Sequence, residues 1–125
     1  PNALATFEAS RLSAGEARQG MHRRALEDTR AVLAVRAREI APRLPSRPGS
    51  GQWHADGGVL CLQWQLDGGT PATLLQIVIN LGTQPALAPT PPGRTVYERA
   101  CRVQADGLRL APGGLRVALE DLPHA

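Results

Sequence analysis

Hydrophobic residues change their spacing along this chain once, near residue 45. Between residues 21 and 41, Leu26, Leu33 and Ile40 recur every seven positions, which places them on one side of an α-helix. After residue 58 the apolar residues alternate with polar ones, as they do in half-buried β-strands. The pattern therefore predicts an α-helical segment followed by a mostly β region.

Two neighbouring segments carry the strongest alternation. Residues 59–66 and 73–81 are separated by Asp67-Gly68-Gly69, a turn expected to tolerate positive φ, so they predict an antiparallel hairpin. Weaker strand patterns follow at 85–88, 94–98, 101–104, 108–110 and 115–120. Many short strands with Gly- and Pro-rich turns between them predict an antiparallel β-sandwich or meander.

Local signals divide the N-terminal segment. Residues 1–12 have no clear period and predict an extended lead-in with a local turn. Ser13 and Glu16 have the spacing of a capping box, so a helix is expected to begin there. Gly20 then divides that segment from the longer helix at 21–41.

A proline and a linker separate the helical half from the β half. Pro42 is expected to end the helix, because the residue before a proline is biased away from helical conformation. Residues 45–51, PSRPGSG, have the composition of a linker. The helical segment is therefore expected to finish by residue 44.

The charge is unevenly distributed, and Arg supplies every basic side chain. The net charge is +3: residues 1–51 hold nine Arg and five acids, and residues 52–125 hold five Arg and six acids. Several helix arginines have an acid at helical spacing, as Arg23 has Glu27, which indicates a solvated, salt-bridged face and no nucleic-acid partner. No membrane span and no signal-peptide pattern is visible, so a cytoplasmic location is expected.

Residues that bind metals or act as nucleophiles are few and scattered. His22, His54 and His124 fall in different elements and share no metal-ligand spacing with the cysteines, so no metal site and no cofactor are predicted. Cys61 and Cys101 lie in apolar runs, where a buried free thiol is the commoner state. No Ser or Cys is placed with a His and an acid as nucleophilic catalysis requires, so no catalytic residue is assigned.

Aromatic side chains are scarce, which limits any sugar-binding surface. The whole set is Phe7, Trp53, Trp64 and Tyr97. Trp64 lies on the apolar face of its strand and is expected in the core. Trp53 and Tyr97 are the two candidates for contact with a sugar ring.

Five segments follow one another in a distinctive order: ATFEASRL at 5–12, VLAVRAREIAPRL at 32–44, LQWQLDGG at 62–69, VINLG at 78–82 and PPGRTVYE at 91–98. Together they resemble the C-terminal end of the malto-oligosyltrehalose trehalohydrolases, glycoside hydrolases of the α-amylase superfamily. The first two segments are the most specific. The chain departs from that family at its end, GGLRVALEDLPHA, which lacks the Pro-Pro-Trp strand common there.

The resemblance implies a role for each half of the chain. Residues 1–44 would be the lead-in and the final helix of a catalytic barrel that lies upstream. Residues 45–125 would be the C-terminal antiparallel β domain that packs against the barrel and stabilises it. The family's catalytic Asp and Glu lie on barrel strands, so no position here inherits them. The implied reaction of the parent enzyme is hydrolysis of the α-1,4 bond next to the trehalose unit of maltooligosyl trehalose.

Other interpretations remain open at this point. The chain could be an independent glucan-binding module that holds maltooligosaccharide, or the C-terminal domain of another amylase-type enzyme. A nucleic-acid-binding protein is disfavoured because the β half is near neutral. The stripe of Leu26, Leu33 and Ile40 would face the barrel, and without it we expect the stripe to fold back on the sheet or to pair with a second copy as a homodimer.

Overall fold

The computed structural model describes most of the chain, in residues 3–11, 13, 15–45, 49 and 51–123. These residues form two compact units that divide between Ala34 and Val35. The first unit is helical, and the second contains the helix end and all the described strands. None of the described helices combines the length and the apolar character needed to cross a membrane.

A short helix, α1 (Leu4–Ala9), stands where the sequence predicts an extended lead-in. The N–H groups of Thr6 and Phe7 donate to the carbonyl oxygen of Ala3 at 3.0 and 3.2 Å. The hydroxyl of Ser10 donates to the carbonyl oxygen of Thr6 at 2.8 Å. The prediction is wrong because six residues make fewer than two helical turns, too few for a seven-residue repeat to be visible.

The expected capping box at Ser13 is not formed. A 3₁₀ turn occupies Glu16–Arg18 without a side-chain cap, and Ser13 contributes only its carbonyl oxygen, 3.1 Å from the Glu16 nitrogen. The long helix, α2, spans Gly20–Val35. Gly20 begins it with a φ of 50°, a conformation that favours glycine, so the predicted division at this residue is confirmed.

The end of the helix is irregular and lies within the predicted limit of residue 44. A π-helical turn spans Arg36–Ile40 and a 3₁₀ turn spans Ala41–Arg43. Pro42 lies at the start of the last turn. Proline has no backbone N–H, but the first residues of a helical turn do not donate within the helix, so no hydrogen bond is lost there. The helical backbone therefore ends at Arg43.

The three residues of the predicted apolar stripe differ in burial. Ile40 packs against a core of the strands, Leu26 is half-buried, and Leu33 is 56% exposed.

Six antiparallel strands make one sheet and confirm the predicted fold class. They are β1 (Gly51–Asp56), β2 (Val59–Leu66), β3 (Thr73–Asn80), β4 (Ala86–Ala88), β5 (Arg94–Gln104) and β6 (Gly107–Asp121). The pairing runs β1–β2–β3–β6, and β6 also pairs with β5 along most of its length and with β4 at Leu108–Leu110. The predicted hairpin of β2 and β3 is confirmed.

The two longest strands join segments that the sequence pattern keeps apart. β5 contains both 94–98 and 101–104, and β6 contains both 108–110 and 115–120. The register shifts between Thr95 and Tyr97 and again between Arg99 and Cys101. Such irregularities let a ladder continue while its alternation changes phase, which makes one strand look like two.

The hairpin turns use their glycines differently from the prediction. Gly57 and Gly58, with φ of 54° and 84°, make the two-residue turn between β1 and β2. Gly68 and Gly69 lie between β2 and β3 without positive φ, so the expected reason for glycine there is wrong. The actual reason at Gly68 is a close contact described below.

Side chains alternate between two faces of β1, β2 and β3. The tryptophan face carries Trp53, Leu62, Trp64, Leu75 and Ile77. The glutamine face carries Gln52, His54, Gln63, Gln76 and Val78. The sequence correctly groups the apolar residues of β2 and β3 on one side.

Both faces support a hydrophobic core. On the tryptophan face, the helix-end residue Ile40 and Trp64 pack against Leu66, Leu75, Val117 and Leu119. On the glutamine face, the β4 end of the sheet buries Val59, Val78, Ala88, Leu108 and Leu110. The Pro-rich stretch 89–92 follows β4 and also lies over the glutamine face.

Candidate functional site

Glu39 joins the helix end to the sheet. Its Oε2 accepts a hydrogen bond from Arg94 Nη2 at 2.7 Å, and its Oε1 accepts one from Arg38 Nε at 2.9 Å. Arg43 donates to the backbone oxygen of Glu39, and its Nη1 is 4.0 Å from Oε2. The hydrogen bonds from Arg94 and then Arg38 lower the pKa of Glu39 from 4.5 to about 2, so the carboxylate stays ionised at neutral pH.

Gly68 brings the β2–β3 turn against the same helix end. Its N–H donates to the Arg43 carbonyl oxygen at 3.1 Å. A Cβ at Gly68 would lie 2.1 Å from the Leu44 carbonyl oxygen, so no larger residue fits without movement of the backbone. Together with Glu39 and Arg94, these residues form an attachment that we call the helix–sheet junction.

The tryptophan face is apolar and partly open to solvent. No Asp, Glu, Lys or Arg lies on this face of β1, β2 or β3. Trp53 is 72% exposed, and Leu81, just after β3, is 65% exposed. The indole of Trp64 lies over Gly51, where a Cβ would be 2.1 Å from its Nε1. This face adjoins the helix–sheet junction through Trp64 and Ile40.

The two residues predicted to touch sugar lie in one cross-strand row but far apart. The row runs from Trp53 through Leu62, Ile77 and Val117 to Tyr97. Four strand spacings of about 4.8 Å separate its ends, roughly 19 Å in all. Tyr97 is half-buried against the core and Trp53 is exposed, so the fold does not bring them together as one stacking surface.

A groove of about 430 Å³ lies on the glutamine face. Its floor includes Gln52, His54 and Gln63, and its wall is the segment 89–92, PTPP. Gln63 Nε2 donates to Gln76 Oε1 at 3.1 Å. The residues that line the groove include no Asp, Glu, Lys or Arg. Sequence reasoning missed it, although the alternation of Gln52 and His54 could have marked a polar strand face.

Buried Gln76 links the groove floor to the rest of the sheet. Its Nε2 donates to the Pro92 carbonyl oxygen at 3.3 Å and to Glu120 Oε2 at 3.1 Å. These bonds tie the Pro-rich wall to β3 and β6. The groove is therefore held open by hydrogen bonds on its own floor.

The histidines and cysteines form no metal centre within the described ranges. No group of three or more His, Cys, Asp or Glu side chains is suitably placed for a metal ion there. His22 lies in α2 and His54 in β1, whereas His124 lies outside the described residues. Cys61 and Cys101 are free thiols beside the glutamine-face core. Burial raises the pKa of both, and the nearby Glu98 adds to the rise for Cys101, so neither is an activated nucleophile.

Comparison with known proteins identifies the class to which this fold belongs. A chain from a crystal structure described as "Putative alpha Amylase from Salmonella typhimurium" has 26% sequence identity to this chain and a TM-score of 0.80. The match covers 97% of this chain and 20% of the length of that chain. The fold is that of the β domain at the C-terminus of α-amylase-superfamily enzymes.

A family model described as "Domain of unknown function (DUF3459)" matches residues 47–117, more than half of the chain. The chain belongs to this family, which occurs at the C-terminus of α-amylase-family enzymes. No curated protein sequence matches this chain. The family match covers the strands from β1 into β6, and the helix end that carries Glu39 lies outside it.

Proposed function

We propose that this chain is a non-catalytic accessory domain whose tryptophan face docks on the catalytic barrel of its parent enzyme. The observation that carries the proposal is the apolar surface that adjoins the helix–sheet junction. Burying an exposed aromatic side chain such as Trp53 stabilises an interface by about 2–3 kcal/mol. The part of this face on β1, β2 and β3 carries no charged group, so it can be buried without the cost of desolvating ions.

The proposed division of labour follows the resemblance. Residues 1–44 would belong to the barrel and residues 45–125 to the β domain. The helix end from Val35 to Leu44 would connect the two parts, because it packs with the strands through Ile40 and Glu39.

We further propose that the parent enzyme releases trehalose from maltooligosyl trehalose. The support is the order of motifs from ATFEASRL to PPGRTVYE, two of which meet in the structure at the contact of Glu39 with Arg94. The catalytic carboxylates would lie in the barrel. A C-terminal domain of another amylase-type enzyme is the competing function.

An activity comparison tests both parts of this proposal. The 125-residue chain and a longer protein, in which the catalytic region precedes it, would be incubated with maltotriosyl trehalose and with maltopentaose. The longer protein should release trehalose, and the chain alone should hydrolyse neither sugar. Hydrolysis by the chain alone would overturn the accessory role. Cleavage of maltopentaose without trehalose release would assign the parent to another amylase-type activity.

The docking face has its own test. Trp53→Glu should lower the melting temperature of the longer protein while leaving the 125-residue chain nearly unchanged, because Trp53 is exposed in the chain. Val103→Glu is the matched control, since Val103 is also exposed but pairs with Leu108, a residue of the glutamine-face core. Equal effects of the two substitutions on the longer protein would contradict docking through this face. If the 125-residue chain self-associates, and Trp53→Glu abolishes this association without affecting the longer protein, the face would be assigned to a second copy of the chain.

A further inference from the structure

We propose that the groove on the glutamine face is a binding site for a linear α-glucan, separate from any catalytic centre. The groove combines a polar floor with an apolar wall and has no charged residue in its lining. Its volume of about 430 Å³ lies in the range of small-molecule sites, roughly 300–1,000 Å³. No Asp, Glu, Lys or Arg in the lining would compensate a full charge, so the groove favours a neutral ligand.

The floor offers hydrogen-bonding groups suited to vicinal hydroxyls. The side chains of Gln52 and His54 are exposed and form no hydrogen bond with the described part of the chain. An amide presents a donor and an acceptor side by side, which matches two adjacent hydroxyl groups of a sugar ring. Gln63 adds a third group, held in place by its bond to Gln76.

The wall offers a complementary apolar surface. Pro89 and Pro92 are exposed along the groove, and buried Pro91 anchors the segment between them. Proline rings have few internal degrees of freedom, so contact with the C–H face of a sugar ring orders little in the protein. A neutral ligand with alternating hydroxyl and C–H surfaces fits both sides of the groove.

The location keeps this site accessible. Gln52 and His54 point to the opposite side of β1 from Trp53, because successive side chains of a strand alternate. Docking through the tryptophan face would therefore leave these two side chains uncovered, although Trp53, Leu62 and Ile77 also line the groove. The choice of an α-linked glucan, from among neutral sugars, rests on the proposed function of the parent enzyme.

The test is a titration of the 125-residue chain with maltoheptaose, followed by two-dimensional NMR of the backbone amides. A few hydrogen bonds support a Kd on the order of 1 mM. We expect saturable shifts at Gln52–His54, Gln63 and Thr90, and at least a tenfold weaker Kd in the double variant Gln52→Ala/His54→Ala. Both side chains are exposed, so the double variant should fold normally.

Gln65→Ala provides the matched control. Gln65 is exposed on the same face of β2 but outside the groove, so its removal should leave the Kd unchanged. The absence of saturable shifts at about 20 mM sugar would overturn the proposal. Binding that the double variant keeps at full strength would overturn it too, because the polar floor would then not hold the sugar. Trehalose release by the longer protein is measured separately, so either idea can fail without the other.

Discussion

The close contact at Gly68 provides the sharpest test of how the sheet meets the helix end. In Gly68→Ala the new Cβ would lie 2.1 Å from the Leu44 carbonyl oxygen and 2.7 Å from its carbonyl carbon. Both neighbours are backbone atoms, so the turn must move away from the helix end. Overpacking of this kind costs about 1–3 kcal/mol. Loss of the Gly68 N–H bond to Arg43 adds about 1 kcal/mol.

The expected destabilisation is therefore about 2–4 kcal/mol, or a melting temperature lower by roughly 8–16 °C at about 4 °C per kcal/mol. Gly69→Ala is the matched control in the same turn. There the nearest atoms to a new Cβ are Arg43 Cγ at 3.7 Å and the Pro71 carbonyl oxygen at 4.0 Å, which are ordinary contacts. Its free energy of unfolding should change by less than about 1 kcal/mol. Thermal melts of the two variants that agree within about 2 °C would refute the contact.

Three further results are expected. The pKa of Glu39 falls to about 2 on folding, so the stabilisation from its ionised carboxylate is complete above pH 4.5 and is lost as the pH falls from there towards 2. Glu39→Gln should therefore lower the urea midpoint most at neutral pH and least near pH 2. A difference in urea midpoint that stays constant with pH would count against the ion pairs. Leu108→Ala should lower the free energy of unfolding in urea by about 2–5 kcal/mol, because Leu108 is fully buried. Leu87 is half-exposed, so Leu87→Ala should lower it distinctly less. Similar losses in the two variants would contradict the assigned core. Asn80→Asp should lower the free energy of unfolding increasingly as the pH rises, because the Asn80 amide donates to three carbonyl oxygens that would then face a carboxylate. If the loss of stability did not change with pH, these three hydrogen bonds would be excluded.

The period-two pattern predicted the strands well because it records which side chains share a face. Leu62, Trp64 and Leu75 were grouped on one side by alternation alone, and they do lie on the tryptophan face. The pattern failed where the backbone changes phase. The register shift beside Ala100, a residue with φ of 49°, makes β5 continuous although its two halves look like separate strands.

The candidate sites were harder to derive because they depend on distant segments. Gln52 and Gln63 form one groove floor only through pairing of β1 with β2, and the wall at 89–92 arrives from beyond β4. Glu39 lies four residues before Arg43, a spacing at which side chains of one helix pair, and the two approach to 4.0 Å. Its closest side-chain partner is instead Arg94, which is 55 residues away in sequence.

The sequence by itself determined the class of this protein: a helical segment, a mostly β half, and motifs typical of an amylase-type C-terminal domain. These properties follow from the local spacing and the order of residues, both of which can be read directly from a single sequence. Only the tertiary structure decided which residues serve the junction and the groove. Gly68 illustrates the reason, because its need for glycine comes from the Leu44 carbonyl oxygen and not from its own φ. Such contacts arise when segments far apart in the chain approach closely, and local pattern does not record that approach.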